Sequence, residues 1–254
     1  MRSRLLSDFS YEYYKEILKS ARRNFLISKL SHYDRIIHSR DKYHLILRHD
    51  IDLSLKRGLK MAAIESELGI SATYMVLIDS QLFSLEEVGS KDIIRKISCM
   101  GHEVGLHFNI DGRFSKVDNF NSLKNEIMLA NKKLEGIIGV KVTSISFHRP
   151  RTNFLNGPEK IFGLVNTYSE KLMDWYLSDS KGYWRDGDPL TQLLNPKRKL
   201  LQLLIHPIWW GEKQMNAKER LKQFINEETR EKSSKFKKLF LSKLRTTVPG
   251  LSWD

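Results

Sequence analysis

HLILRHDID, residues 44–52, is the stretch whose reading decides the fold. Four residues of mostly apolar, strand-like character run into a cluster of ionisable groups: Arg48, His49, Asp50 and Asp52. Residues two apart on a strand point to the same side, so Asp50 and Asp52 project together if the extended geometry reaches that far. Two neighbouring carboxylates repel unless a cation or a shared proton compensates. A buried strand ending in Asp-x-Asp is therefore a candidate metal site or acid–base pair. The competing structural reading is a solvated strand end in which Asp52 or Ser54 caps the helix that follows. The stretch alone does not separate the two.

Outward from it, strand and helix patterns alternate. Residues 11–30 read as a helix, with Tyr14, Ile17, Leu18, Phe25 and Leu26 apolar, expected to cover one end of the domain. Residues 54–68 read as a helix stopped by Gly69, and 71–78 as a second buried strand. Helix returns at 84–98, with Leu85, Val88, Ile93, Ile94 and Ile97 as core candidates. Residues 103–107 form a short strand ending in His107, 120–138 an amphipathic helix, and 142–148 a strand ending in His148. A loop-rich region spans 152–196, and an apolar strand at 200–206 ends in His206. Such alternation implies parallel strands with helices outside them, and active sites of these barrels gather at the carboxyl ends of the strands. Three of the eight histidines fall at such ends. His32, His38, His44 and His49 read as packing or surface residues, and Glu103 beside His102 as structural.

Composition bounds the rest. The 254 residues, 41% hydrophobic and 29% charged, suffice for one large domain, with its core at 44–210, an N-terminal helical cover at 1–43 and a basic C-terminal helical segment at 211–254. Cys99 is the single cysteine, which excludes an internal disulfide and a thiolate-rich metal site. No apolar run approaches the roughly 20 residues that cross a bilayer. The first residues turn acidic and aromatic where a signal peptide needs an apolar core, so a cytoplasmic location is expected. The net charge of +13 raises nucleic acid as a partner, but no binding motif for it is present. Lys and Arg surround Phe236, Leu239, Phe240 and Leu244 in 232–245, a pattern for a helix packed on the domain or, as the alternative, for peripheral contact with an anionic membrane.

The ordered set RHDID (48–52), GHEVGLHF (101–108), FHRP (147–150) and LLIHP (203–207) resembles the motifs of the polysaccharide deacetylase superfamily, the NodB-homology or carbohydrate esterase family 4 group. The resemblance spans 44–210 and implies a distorted, often incomplete (β/α) barrel. It implies metal-assisted removal of an acetyl or other acyl group from a sugar amide or ester, in surface-polysaccharide assembly. Zinc is the first expectation for the ion, with cobalt, manganese or nickel as alternatives. Carried over by position, Asp50 is the base, Asp52 and His107 are metal ligands, Arg149 orients the base, and His206 is the general acid. Asp179 would hold His206 in its useful tautomer.

Two departures stand out. Ile51 separates aspartates that are adjacent in the family, and Asp111 stands where a second histidine is usual. The third ligand is therefore His148, favoured for its strand-end position, or Asp111. Trp209, Trp210 and Trp184, and less so Tyr183, are candidates for stacking on sugar rings. Competing functions are a different C–N hydrolysis or acyl or amide transfer on the same scaffold, and a non-catalytic carbohydrate-binding barrel.

Overall fold

The structure, a computed structural model, describes residues 8–39, 41–110, 120–150 and 152–244, with all of their side chains except those of 120, 153 and 236–244. Helix α1 (Tyr11–Asn24) begins where the Ser10 hydroxyl accepts a hydrogen bond from the Tyr13 N–H. It ends at Asn24 instead of continuing to residue 30. Phe25 turns extended, and β1 (Leu26–Ser28) joins the sheet by pairing Leu26 with His44 and Ser28 with Ile46. A short helix α2 (Tyr33–Ile37) then leads into β2 (His44–Ile51), the strand read first in the sequence and buried along its length. Helix α3 (Leu55–Glu67) is capped by Ser54, whose Oγ accepts from the Arg57 N–H at 3.3 Å. Asp52 is thereby released from a capping role.

The alternation continues through β3 (Thr73–Leu77), α4 (Val88–Cys99), β4 (Glu103–Asn109), α5 (Lys124–Ile138) and β5 (Ser144–His148). Helix α4 starts later than the apolar pattern implies: Leu85 is buried ahead of it, and Val88 is 72% exposed at its first turn. Strand β4 runs two residues beyond His107. The region expected to be loop-rich holds β6 (Lys160–Ile161), β7 (Leu164–Asn166), α6 (Glu170–Met173), β8 (Tyr176–Ser178) and α7 (Pro189–Leu194). None exceeds six residues, too short to leave a periodic signal. Strand β9 (Leu200–Ile205) and the long helix α8 (Ala217–Leu244) complete the described chain. No helix among the described residues is long and apolar enough to cross a membrane.

The sheet order is β6-β7-β5-β4-β3-β2-β9-β8, parallel throughout except for β6 against β7. The sheet curls. Ile46 of β2, Met75 of β3, Val165 of β7 and Leu172 of α6 pack into one interior cluster, although β5 and β4 separate β7 from β3 in the sheet. Among the described residues the edge strands β6 and β8 do not pair with each other, which makes this the expected distorted, incomplete (β/α) barrel. Gln202 of β9 bridges the gap, its Nε2 donating to the carbonyls of Thr167 (2.9 Å) and Leu172 (3.3 Å). Gly105 makes room inside, since a Cβ there would lie 2.4 Å from the Met75 sulfur. Leu30, Tyr33 and Ile36 plug the amino end of the barrel. The end cover is thus the α2 region. Helix α1 lies instead in the outer layer, where Tyr14, Ile17 and Leu18 share the core with Leu45, Leu47 and Ile51.

Two buried carboxylates organise regions away from the carboxyl ends. Glu103 accepts from the Ser31 N–H (2.6 Å), Thr73 Oγ1 (2.9 Å) and Ser144 Oγ (2.7 Å), so its role at the amino end is structural. Glu65 of α3, fully buried, receives the hydroxyls of Tyr14 and Tyr74 and lies 2.6 Å from His49 Nε2. Its neighbour His102 accepts from the Ala72 N–H through Nδ1 and faces the Ala62 carbonyl through Nε2. The neutral Nε2–H tautomer satisfies both contacts, so His102 and His49 are committed to this outer network and not to the strand-end site. Burial pushes the Glu65 pKa up, but the His49 charge and the donated hydrogen bonds outweigh it and hold it below its ordinary value.

Replacing Glu65 with Ala strands these partners, and we expect a loss of about 3–5 kcal/mol in urea-unfolding free energy. Because the folded-state value is depressed, the wild-type contribution is complete above the unfolded carboxylate value of about 4.3 and disappears as pH falls through the folded value. The gap between wild type and Glu65→Ala must therefore narrow in acid. An unchanged gap down to pH 3 would contradict this account.

Candidate active site

The inward alternation of β2 sends Arg48 and Asp50 to the barrel interior, one above the other. Arg48 is completely buried, and its fork grips both carboxylate oxygens of Asp50, Nε to Oδ1 at 2.8 Å and Nη2 to Oδ2 at 2.6 Å. The guanidinium also lies over the Tyr168 ring, 4.8 Å from its centroid, and Nη2 donates to the Tyr168 hydroxyl at 3.1 Å. Burial alone would raise the Asp50 pKa; the Arg48 charge, then His107, reverses this and lowers it. Arg48 therefore orients Asp50 in this structure. Arg149 lines the same cleft in a left-handed backbone conformation, φ 50°.

Asp52 sits just past the end of β2 and faces His107 of β4, with Oδ1 3.0 Å from Nε2. Asp50 Oδ2 is 3.8 Å from the same nitrogen, so the two aspartates do project together. His107 Nδ1 is fixed by Ser146 Oγ at 2.6 Å, which leaves Nε2 facing the carboxylates. Asp52 Oδ1 is buried yet makes no hydrogen bond of acceptable geometry, His107 being close but poorly aligned. Burial raises the Asp52 pKa, but His107, His206 and His148 together hold it at about 2.

An anionic buried oxygen without a donor, next to an imidazole nitrogen held by a hydroxyl, suits a divalent cation with mixed oxygen and nitrogen ligands. The His148 ring stands 5.6 Å from that of His107, centroid to centroid. Among the described residues no three His, Cys, Asp or Glu side chains converge closely enough to enclose an ion. Asp111 lies outside the described residues.

Across the cleft, His206 follows β9 and is held by Asp179, which follows β8. Asp179 Oδ1 is 2.6 Å from His206 Nδ1, and both Asp179 oxygens accept the His206 backbone N–H. Trp210 Nε1 donates to Oδ2 at 2.8 Å. Burial disfavours the imidazolium, but the hydrogen bond and charge of Asp179, with Asp52 and Asp50 beyond, raise the His206 pKa to about 9. At neutral pH His206 is therefore a cationic acid facing two anionic carboxylates.

These groups share one cleft of about 1050 Å³, which brings together Asp50, Asp52, His107, His148, Arg149 and His206. Its upper wall is the first turns of α8, including Lys218, Leu221 and Lys222. The tryptophans divide. Trp209 lines the cleft, whereas Trp210 is fully buried between Phe9, Tyr13 and Tyr14, and Trp184 is covered by Phe9 and Trp210. Neither Trp210 nor Trp184 offers a free face to a sugar, which corrects that expectation. Tyr183 is exposed and outside the cleft lining. Sequence reasoning missed Arg48 as the holder of Asp50, although its i, i+2 spacing from Asp50 carried the signal. It also missed Tyr168 and the wall supplied by α8, which depend on distant segments meeting.

No protein-family model matches the chain, and no curated protein is similar to it in sequence. Solved structures do match. A pseudoenzyme of carbohydrate esterase family 4 from Bacillus anthracis aligns at 16% identity over 76% of this chain and 63% of that one, with a TM-score of 0.44. A peptidoglycan N-acetylglucosamine deacetylase aligns at 18% identity over 76% and 85%, TM-score 0.44. A family 4 carbohydrate esterase from Streptomyces lividans, in complex with acetate, aligns at 15% identity over 66% and 81%, TM-score 0.44. The chain spans less than two thirds of the length of the pseudoenzyme. Two of the three are named as members of the group that the sequence motifs resemble.

The Asp179–His206 pair can be tested without substrate. Asp179→Asn removes the charge that sustains the imidazolium, so the His206 ring should titrate at least about one unit below its wild-type value in NMR. Trp210→Phe, which leaves the carboxylate in place, should move it less. An unmoved titration in Asp179→Asn would show that Asp179 only packs.

Proposed function

We propose that this chain is a divergent member of the polysaccharide deacetylase superfamily that hydrolyses an acyl group, acetyl first among candidates, from the amide or ester of a sugar used in surface-polysaccharide assembly. The observation that carries the reading is the opposition, across one cleft, of the Asp179-held cation His206 and the anionic pair Asp50 and Asp52. A divalent ion, with zinc as the first candidate, would supply Lewis acidity, making a water acidic and polarising the acyl oxygen. Asp52 and His107 would hold it, with His148 or Asp111 as the third ligand.

The chain's own residues do the remaining work. Asp50, fixed by Arg48, accepts the proton of the attacking water. The C–N or C–O bond breaks as the His206 imidazolium gives its proton to the departing nitrogen or oxygen, yielding the free carboxylic acid and the amine or alcohol. Asp179 keeps the His206 ring aligned and charged until that transfer. Burial of Arg48 and Asp50 keeps water from loosening the base.

A second reading, a carbohydrate-binding barrel that has lost its ion, is favoured by the lack of three converging ligands among the described residues. A different C–N hydrolysis or acyl or amide transfer at the same groups is separated by its product, since only deacetylation releases acetate from an acetamido sugar.

Elemental analysis of protein purified without chelator or affinity nickel decides between catalysis and binding alone. We expect about one divalent ion per chain, lost in a His107→Ala/His148→Ala double variant. Protein that is empty and refuses added zinc, cobalt or manganese would favour the binding barrel. With the ion present, acetate release should fall by about 10²–10⁴-fold in Asp50→Asn and in His206→Gln. Activity should decline as pH rises through the His206 value of about 9, because the acid is then deprotonated. An activity still rising beyond that point would remove His206 as the proton donor.

A further inference from the structure

Acyl hydrolysis does not use the charge that surrounds this cleft. Arg149, Lys181, Arg185, Lys218 and Lys222 line it, while among the described residues its lining carboxylates are Asp50 and Asp52. Both belong to the site already described, and Arg48 already compensates Asp50. Among the described residues no carboxylate lies within ion-pair distance of Lys181, Arg185, Lys218 or Lys222. Elsewhere on the surface some lysines are matched, as Lys133 is with Glu86, Lys160 with Asp34 and Lys171 with Glu159; what distinguishes the present four is that they line one cleft. Unmatched cations gathered on one cleft create a potential that attracts and orients an anion.

The backbone holds this arrangement in place. Among the described residues four other than glycine have positive φ, and two of them, Arg149 (50°) and Lys181 (66°), are cations of this cleft. Such conformations are unfavourable for side-chain-bearing residues and cluster at ligand sites. The loop carrying Lys181 is pressed onto α8: a Cβ on Gly182 (φ 77°) would come within 2.7 Å of the Ala217 Cβ and 3.3 Å of the Trp209 ring. Lys218 and Lys222, four apart on α8, stand on one helical face. Cations from two separate segments are thus fixed on one wall.

Of the three candidate tryptophans, only Trp209 lines the cleft among the described residues. Of the tryptophans suited to stacking on sugar rings, Trp210 and Trp184 are consumed by the core.

We propose that the acylated sugar taken by this cleft carries a phosphate or diphosphate ester, bound by Lys181, Arg185, Lys218 and Lys222 while the acyl group reaches Asp50 and His206. The proposal rests on the hydrolase reading for the position of the acyl group, but not for the anion. Several cations on one wall match the multiple charges and acceptor oxygens of a phosphoryl group; a single carboxylate would need one or two. A nucleoside diphosphate and an isoprenyl diphosphate are two sources of the same chemistry.

Isothermal titration calorimetry on the full chain tests it with three probes: uridine diphosphate N-acetylglucosamine, farnesyl diphosphate N-acetylglucosamine, and free N-acetylglucosamine. At least one diphosphate should bind about tenfold or more tighter than the free sugar, with the advantage shrinking as salt is raised. The Lys218→Ala/Lys222→Ala variant, altered only at exposed positions, should lose about tenfold for the diphosphates and nothing for the free sugar. The tighter diphosphate identifies the carrier, and equal binding means that the phosphoryl group alone is read. Equal binding of free sugar and diphosphates, absence of diphosphate binding, or indifference to the lysine substitutions would each overturn the proposal. Acetate release from neutral sugars without phosphate preference would keep the hydrolase and remove the anion. Phosphate-dependent binding without acetate release would do the reverse.

Discussion

A buried guanidinium has to be matched completely or it unfolds its surroundings, and the Arg48–Asp50 pair is where this barrel meets that demand. The two residues stand two apart on β2, so the strand itself aims both inward. Matching Arg48 draws in more than Asp50. Its ring partner Tyr168 donates to the Phe147 carbonyl on β5, and Gln202 of β9 accepts weakly from Nη1 at 3.4 Å while bridging to Thr167 and Leu172. The segments flanking the open side of the barrel are thus joined through the group that positions the candidate base. A sheet whose described edge strands do not pair is joined here by side chains.

The same alternation separates two carboxylate systems that are neighbours in sequence. His49 faces outward into the Glu65 network beneath α1 and α3, whereas Asp50 faces inward to His107. The interruption of the aspartate pair by Ile51 follows the same rule. On an extended strand, Asp-Ile-Asp places both carboxylates on the inner side and gives the outer position to Ile51, which packs in the helix-facing core. Adjacent aspartates could not both point inward without a break in the strand. The departure from the usual motif therefore preserves convergence on His107 by a different backbone route.

The parts of the fold and site that were legible in the sequence were those written locally. Strand β2, the choice of Asp52 or Ser54 as cap of the helix that follows it, and the strand-end positions of His148 and His206 all follow from short-range pattern. The pairing of Asp179 with His206 was legible only through the family resemblance, because the two are brought together by β8 pairing with β9. What stayed hidden has physical causes. Helix α1 ends where a three-residue strand finds a partner in β2, a tertiary event that outweighs its helical pattern. Trp184 and Trp210 look alike as core or as platform until Phe9 and α1 are seen to cover them. Arg48 shares a strand face with Asp50 by its spacing, but that it is fully buried there shows only once the barrel has closed around it. The cationic wall depends on α8 folding back over the carboxyl ends, which no local pattern announces.

Charge balance explains how such a floor and rim can coexist. At the strand-end site each carboxylate has its own nearby compensation: Arg48 for Asp50, the His206 imidazolium for Asp179, and His107 beside Asp52. Asp52 is the least completely satisfied, having a buried oxygen without a well-aligned donor, and it is where an added cation would gain most. Since the other floor charges are matched at hydrogen-bond range, they draw little on Lys181, Arg185, Lys218 and Lys222. Charges neutralised locally cast only short fields, whereas unmatched rim cations act over roughly a Debye length, about 8–10 Å at physiological salt. The floor can thus be tuned for proton transfer while the rim is tuned for what it admits, and the two sets of residues can vary independently.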